Sequence, residues 1–272
     1  MEGRASMGTG TYRVKEFGVW LHEEAPRPAL GLAVVAALIF LGLLGTLVFG
    51  VPPAMDEAVF HTLQGWRTPE RDGVMVLFTE FGDQGMILPV AALVLAWLAA
   101  HRLWRSAACW LLAVGGAELA TAALKLVLHR PRPRSFFSGV EQYSFPSGHA
   151  LMGVTVYGLL AWFIYHQAGT RLRTATIALT VLLLALIAFS RLYLGVHWCS
   201  DVLAGLAFGL CWVTFVALLH AFYGREAIPS ARFARAAVAI FVVVGAVHVG
   251  LHHETNLARY AQVVAQDQGV AP

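Results

Sequence analysis

Residues 29–51 read ALGLAVVAALIFLGLLGTLVFGV and contain no charged side chain. A stretch of about 20 apolar residues is long enough to cross the hydrocarbon core of a bilayer as an α-helix. It follows a polar, basic segment, residues 1–28, and it is too long for the apolar part of a cleaved signal peptide. We therefore interpret residues 29–51 as the first membrane span.

The composition extends this interpretation to the rest of the chain. Of the 272 residues, 58% are hydrophobic and 13% are charged, and the mean hydropathy is +0.66. A soluble domain has about 45–50% apolar and about 25% charged residues, so an ordinary soluble domain is excluded, as is a disordered chain. The net charge of +3 is small and scattered, so we expect no nucleic-acid partner. Cys109, Cys199 and Cys211 form no CxxC pair, which predicts neither a disulfide framework nor a zinc site.

Six further apolar runs follow, each long enough, or nearly so, to span a membrane as a helix. They occupy residues 86–100, 106–128, 149–166, 174–194, 201–222 and 235–251. Lipid leaves exposed backbone groups without hydrogen-bond partners, so the spans must be helical. We predict an all-α fold, a polytopic membrane helical bundle. After a cytoplasmic segment, 1–28, it has a six-span core over 29–222, and residues 223–272 add a seventh span and an extracytoplasmic tail.

Positive charge predicts the orientation of this bundle, because cytoplasmic loops are enriched in Lys and Arg. Arginines occur in alternate loops, at Arg102, Arg105, Arg171, Arg173, Arg225, Arg232 and Arg235. The segment from Pro52 to Gly85, on the other side, is mostly acidic. We therefore expect a multi-pass protein of the cell (inner) membrane with its N-terminus in the cytoplasm and the Pro52–Gly85 segment outside.

One outer loop contradicts this charge rule. Residues 129–134 read HRPRPR, and Lys125 lies just before them. Cations stiffened by two prolines suit a dianion such as phosphate, but a basic segment also anchors to lipid headgroups. The cluster by itself leaves both interpretations open.

The same loop ends in Phe145-Pro146-Ser147-Gly148-His149, where the fourth run begins. Ser147 is a typical N-cap, and a helix N-terminus directs free N–H groups and a positive dipole end at an anion. Gly148 allows a ligand to approach the backbone closely. Alone, a capped helix with an interfacial histidine explains this segment equally well.

A third polar segment connects the fifth and sixth runs and contains Ser190, Arg191, His197 and Asp201. His197 and Asp201 share a helix face if the sixth span begins near Val196. A carboxylate on one imidazole nitrogen leaves the other free as nucleophile or base; a structural His–Asp pair is the alternative. All three segments fall on the predicted outer side, and together they indicate a phosphoryl-transfer site.

At these residues the sequence resembles the type 2 phosphatidic acid phosphatase family of membrane lipid phosphatases. The family signature is Lys, six residues, Arg-Pro; then Pro-Ser-Gly-His; then Ser-Arg, five residues, His, three residues, Asp. Every position matches in order and spacing: Lys125, Arg132-Pro133, Pro146-Ser147-Gly148-His149, Ser190-Arg191, His197 and Asp201. The usual core of the family has six spans, so the seventh run is a departure.

The resemblance implies an enzyme that acts on a lipid phosphate without a metal or other cofactor. In the implied mechanism His197 attacks phosphorus and forms a phosphohistidine, while Asp201 orients it. His149 acts as general acid on the leaving oxygen and then as base for water. The groups that hold the phosphate oxygens are Lys125, Arg132, Ser147, Gly148 and Arg191.

Several features stay open at this level. Arg130 and Arg134 lie outside the signature and are predicted to bind a second phosphate or lipid headgroups. Glu118, in mid-span, either makes a structural hydrogen bond or supports the site. Gly205 and Gly209 form a GxxxG motif, which favours close helix packing, with dimerisation as the alternative.

The expected partners are the bilayer and a lipid phosphate substrate. Undecaprenyl pyrophosphate is favoured over phosphatidylglycerophosphate and phosphatidic acid. A phosphotransferase that uses a lipid acceptor is a second reading. A transporter or receptor that only binds a lipid headgroup is a third, for which His149 and the His197–Asp201 pair would be superfluous.

Overall fold

The structure is a computed structural model that describes residues 27–134, 137–166, 168–224 and 226–267, with side chains up to residue 262. Most of the predicted cytoplasmic segment 1–28, and Arg225, lie outside the described residues. Within them the chain is helical and forms no strand; an isolated bridge joins Pro131 to Tyr143.

The long helices are α1 (Arg27–Val48), α2 (Ala54–Gln64), α3 (Pro69–Glu80), α4 (Gln84–Ala100), α5 (Trp104–Leu128), α6 (Gly148–Tyr165), α7 (Thr170–Tyr193), α8 (Cys199–Phe222) and α9 (Ser230–Asp267). A short 3-10 helix, Gly139–Gln142, lies in the loop before α6, and a π-helical turn, Val154–Gly158, interrupts α6.

Seven helical stretches of the described chain are long and apolar enough to cross a bilayer: α1, α3 with α4, and each helix from α5 to α9. This finding confirms the predicted membrane bundle. The most deeply buried stretch is α6, whereas α1 exposes Leu32, Val34 and Leu38 as a lipid-facing helix does. The protein is therefore an integral membrane protein.

The second span differs from the prediction, because a helix that the apolar runs did not indicate, α3, precedes it within Pro52–Gly85. This segment contains α2 and α3, and α3 continues into α4 after a corner at residues 81–83. Residues 74–78, VMVLF, are an apolar core within the acidic stretch, and Val76 packs against Tyr193 and Leu194. The charged flanks concealed this helix from a search for long apolar runs.

The spans alternate in direction, so the C-terminal parts of α5, α7 and α9 lie with the N-terminal ends of α4, α6 and α8. We call this the motif end, because the three signature segments meet here. At the opposite end, the Ser106 hydroxyl donates to Glu226 at 2.8 Å and joins α5 to the loop before α9. The basic loops therefore lie away from the motif end.

The GxxxG motif packs α8 closely against α6. A Cβ on Gly205 would lie 2.6 Å from the Ser147 carbonyl oxygen, and one on Gly209 would lie 2.9 Å from Val154 Cβ. This close approach lets the Ser147 N–H donate to the Asp201 carbonyl oxygen at 3.0 Å. The predicted packing role is confirmed, and it places the second and third signature segments side by side.

Candidate active site

Two buried cations come from the first signature segment. Lys125, at the end of α5, is 1% exposed, and Arg132, in the following loop, is 7% exposed. The Arg132 guanidinium donates to the Val196 carbonyl oxygen at 2.7 Å and lies 4.3 Å from the centre of the Phe137 ring. Burial, followed by the charge of Arg191, lowers the pKa of Arg132 to about 10, which leaves it charged at neutral pH.

Glu141, from the 3-10 helix, lies against both cations. Its Oε2 accepts from Lys125 Nζ at 2.6 Å and is 3.6 Å from Arg132 Nη2. Burial alone would raise the pKa of Glu141, but Lys125 and Arg132 outweigh it, so the pKa is lowered and the carboxylate stays ionised. A carboxylate oxygen therefore lies where two predicted phosphate ligands converge.

His197 lies in the loop before α8 and is 2% exposed. Its Nε2 is 2.8 Å from Arg132 Nη1. A guanidinium only donates, so Nε2 must accept, and the ring proton of the neutral imidazole is on Nδ1. Nδ1 faces Asp201 Oδ2 at 3.5 Å, within ion-pair distance but without a hydrogen bond.

The surroundings of His197 favour this neutral form. Burial, followed by the charges of Arg132 and Arg191, holds the pKa of His197 well below its ordinary value. At neutral pH the ring therefore keeps an unprotonated nitrogen among cations. Such a nitrogen is suited to attack an electrophile whose negative oxygens the same cations bind.

The sixth apolar run, predicted at residues 201–222, is the helix α8, which begins at Cys199, so the condition of a start near Val196 is not met. Asp201 Oδ2 accepts from the Trp198 N–H at 2.9 Å, and this cap fixes where the helix begins. His197 thus precedes the helix. It faces Asp201 through the loop's fold and not through a shared helix face.

Arg130, which the sequence predicted to bind a second phosphate or lipid headgroups, is held by two buried carboxylates. Its guanidinium is 2.5 Å from Asp201 Oδ1 and 2.7 Å from Asp56 Oδ2. Asp56, from α2, also accepts from the Ser200 N–H at 2.8 Å and its hydroxyl at 2.6 Å. Asp201 is therefore held by Arg130 on one oxygen and by its helix cap on the other.

Ser147 occupies the N-cap position of α6, as predicted, but its hydroxyl makes no capping hydrogen bond. The hydroxyl oxygen is buried and has no hydrogen-bond partner among the described residues. The adjacent Gly148 lies near Lys125, since a Cβ on Gly148 would be 3.9 Å from Lys125 Nζ. The start of α6 therefore places the Ser147 hydroxyl, unpaired within the part of the chain that the structure describes, beside a buried cation.

His149 is held by a residue outside the signature. Its Nε2 lies 2.6 Å from Asp83 Oδ1, at the corner between α3 and α4. Asp83 Oδ2 also faces His248 Nε2 of α9 at 3.7 Å. His149 and Asp83 line a cavity of about 310 Å³, which leaves room beside His149 for a ligand. Glu118 lines the same cavity and accepts a hydrogen bond from Gln84 at 3.3 Å.

Arg191, at the end of α7, is 1% exposed. Its Nη1 donates to the Thr79 hydroxyl at 2.5 Å and to the Tyr260 hydroxyl at 2.9 Å. Its Nε is buried without a partner, and within the described chain no carboxylate lies at ion-pair distance from it. Among the described residues, Arg191 is therefore a buried cation with no ion-pair partner.

Arg134 is also engaged within the protein. Its guanidinium hydrogen-bonds to the Gln64 side chain and lies 5.5 Å from the centre of the Phe60 ring. Its backbone N–H donates to the Gly195 carbonyl oxygen at 3.1 Å. These contacts connect the loop before α6 to α2, and they give Arg134 a structural role that the sequence did not predict.

The structure thus brings every predicted site residue to the motif end and adds five that the motifs do not contain. These are Asp56, Thr79, Asp83, Glu141 and Tyr260. The acidic composition of the segment from Pro52 to Gly85 was a signal for Asp56 and Asp83. The sequence holds no comparable signal for Tyr260, which lies in the seventh span.

Comparison with known proteins agrees with this geometry. The sequence model of the PAP2 superfamily matches residues 106–225, which include all three segments. The chain is 29% identical over 177 residues to phosphatidylglycerophosphatase B of Bacillus subtilis, covering 64% of this chain and 87% of that protein. It is 28% identical over 158 residues to an undecaprenyl-diphosphatase of Sulfolobus acidocaldarius, covering 54% and 69%.

Among solved structures, the fold is similar to a transmembrane PAP2-type phosphatidylglycerolphosphate phosphatase from Bacillus subtilis. The TM-score is 0.60 at 25% identity, covering 73% of this chain and 98% of that one. The fold and the matched segments define an integral membrane phosphatase. Residues 106–225 match the PAP2 superfamily, which agrees with the resemblance noted from the motifs.

Proposed function

We propose that the protein hydrolyses a lipid phosphate or pyrophosphate through a phosphohistidine intermediate at the outer membrane face. The observation that carries this proposal is the neutral, buried His197, whose unprotonated Nε2 faces Arg132 at 2.8 Å. Lys125 and Arg191 add buried positive charge around the same imidazole. An anion is the natural ligand of such a site, and a phosphoryl group is an anion that a histidine can attack.

In the first step His197 Nε2 forms a bond to phosphorus as the bond from phosphorus to the leaving oxygen breaks. Lys125, Arg132 and Arg191 hold the remaining oxygens, where charge spreads in the transition state. The unpartnered Ser147 hydroxyl and the start of α6 at Gly148 add neutral donors. Asp201 stabilises the proton on Nδ1, so the ring can carry positive charge while phosphorylated.

His149 transfers the protons. With Nε2–H donating to Asp83, His149 enters the first step as an imidazolium, and its Nδ1 proton passes to the leaving oxygen, which leaves the ring neutral. In the second step the same nitrogen removes a proton from water as the water oxygen bonds to phosphorus and the bond to His197 breaks. The products are the dephosphorylated lipid and inorganic phosphate, and His197 is regenerated.

The outer location and the substrate class have separate support. The motif end lies opposite the arginine-rich loops, and such loops are enriched on the cytoplasmic side. The relatives named above are a phosphatidylglycerophosphatase and an undecaprenyl-diphosphatase, which supports lipid monophosphates and diphosphates as candidates. Undecaprenyl pyrophosphate, phosphatidylglycerophosphate and phosphatidic acid form the substrate panel.

The test is phosphate release from each lipid by the purified protein in detergent. We expect His197→Ala to abolish release and His149→Ala to reduce it to nearly nothing, with unchanged thermal unfolding. A short reaction with ³²P-labelled lipid should leave acid-labile, base-stable label on the wild type and none on His197→Ala. Full turnover by either purified variant would overturn the assigned roles, and loss of lipid phosphate without free phosphate would indicate transfer to an acceptor.

A further inference from the structure

The outer part of α9 reaches the active site, although it lies outside residues 106–225. The helix has 38 residues, or about 57 Å at the rise of an α-helix, whereas a span needs about 20 residues. The excess carries Tyr260 to the buried face of the motif end, where it is 7% exposed. The seventh span is therefore more than an additional anchor.

Polar contacts fix this part of α9 to the corner between α3 and α4. Glu80, fully buried, accepts from Asn256 Nδ2 at 2.9 Å, and its other oxygen lies 3.1 Å from His253 Nδ1. Tyr260 itself packs in an apolar cluster with Val76 and Tyr193. These contacts give the Tyr260 hydroxyl a defined position.

That hydroxyl donates no charge to Arg191, a buried cation that has no ion-pair partner in the described part of the chain. Arg191 Nη1 has two side-chain partners among the described residues, the hydroxyls of Thr79 and Tyr260. A buried charge is costly unless hydrogen-bonded and paired, and two neutral hydroxyls orient the guanidinium without neutralising it. The positive charge of Arg191 thus stays available to an anion near His197.

We propose that Tyr260 is a positioning residue of the active site, whose hydroxyl holds Arg191 in the orientation that binds the substrate phosphate. The inference rests on the proposed function, because it assigns Arg191 to the phosphate. It gives the seventh span a role in the active site. We expect the outer part of this span to contribute to the affinity for phosphate and not to act directly in bond making or breaking.

The first test is Tyr260→Phe, which keeps the ring and its packing and removes the hydroxyl. A hydrogen bond to a charged group is worth a factor of roughly ten or more in binding. We expect roughly a tenfold rise in KM for the lipid and in the inhibition constant of inorganic phosphate, with a smaller change in kcat. Tyr223→Phe, an exposed tyrosine at the opposite end, is the matched control and should match the wild type.

The second test separates positioning from general stability. In an Arg191→Lys background, Tyr260→Phe should cause no further rise in the inhibition constant of phosphate, since the two residues act through one contact. The proposal would be overturned if Tyr260→Phe had the KM and the phosphate inhibition constant of the wild type. It would also be overturned if Tyr260→Phe raised the inhibition constant as much in the Arg191→Lys background as in the wild type.

A separate result would contradict the proposed function, namely that the wild type releases phosphate from no lipid in the panel. The proposal for Tyr260 is then still decided by the thermal shift that inorganic phosphate causes in the wild type and in Tyr260→Phe. A smaller shift in the variant supports it, and an equal shift overturns it.

Discussion

Glu141 provides a quantitative test of where phosphate binds. Its carboxylate lies 2.6 Å from Lys125 Nζ and 3.6 Å from Arg132 Nη2, so phosphate must displace it to reach both cations. We expect Glu141→Gln to bind inorganic phosphate more tightly, because breaking the contact of Lys125 with a neutral amide costs less free energy than breaking its ion pair with the carboxylate.

The magnitude follows from the burial of the two partners. Hydrogen bonds to charged groups are worth about 1.5–3 kcal/mol, while exposed ion pairs are worth about 0–1 kcal/mol. The Lys125 side chain is 1% exposed and that of Glu141 is 48% exposed, which places this pair between the two classes at about 1–2 kcal/mol. Removing this competition lowers the inhibition constant of phosphate by about 5- to 30-fold.

The assay is inhibition of lipid phosphatase activity by inorganic phosphate, with thermal unfolding in parallel. Without phosphate, Glu141→Gln should unfold at a lower temperature, since Lys125 loses its counter-charge, and phosphate should restore more stability than in the wild type. Glu57→Gln, an exposed glutamate of α2, is the control. An inhibition constant that is unchanged or higher in Glu141→Gln would show that phosphate binds elsewhere.

Three further results are expected. Asp56→Asn should destabilise the protein by about 3–5 kcal/mol, because it leaves Arg130 partly uncompensated in a buried network; an unchanged unfolding temperature in detergent would contradict the network. Gly205→Val should lower both stability and activity by forcing α6 and α8 apart, whereas Gly42→Val, with no atom within 4 Å of its added Cβ, should have little effect on packing; equal unfolding temperatures would refute this contact. Because the pKa of His197 is lowered in the folded protein, the unfolded chain binds more protons at low pH. The free energy of unfolding should therefore fall as pH falls below about 6.5, by at most about 1.4 kcal/mol per pH unit from this residue. Between pH 7.5 and 5.5 the free energy of unfolding should depend less steeply on pH in His197→Ala than in the wild type, and an identical dependence would refute the lowered pKa.

The spans and the meeting of the motifs could be predicted from the sequence for a simple physical reason. A membrane span must be a long apolar helix, so composition alone predicts spans at residues 29–51 and 201–222. Alternating spans then bring every second loop to one end, which is sufficient to bring His149 near His197. The helix α3 was missed because its apolar core is only residues 74–78, between charged flanks.

The partners of the site residues could not be predicted in the same way. The contact between Asp83 and His149 depends on how α4 is rotated against α6, and hydropathy does not encode that rotation. Arg130 looked like a free cation because Asp56 is distant in sequence. Glu141 and Tyr260 belong to a loop and to a helix end whose approach is set by packing alone.

The hydrogen bond from the Ser147 N–H to the Asp201 carbonyl oxygen uses only main-chain atoms, and every amino acid except proline supplies the N–H donor. The separation of the two histidine-bearing segments is therefore insensitive to side-chain exchange along α6 and α8, provided that positions 205 and 209 stay glycine. Reaction geometry of this kind tolerates wide sequence divergence, in keeping with a relative that is 29% identical over 177 residues. Selection should therefore act strongly on Gly205 and Gly209, two residues to which no contact with substrate is assigned.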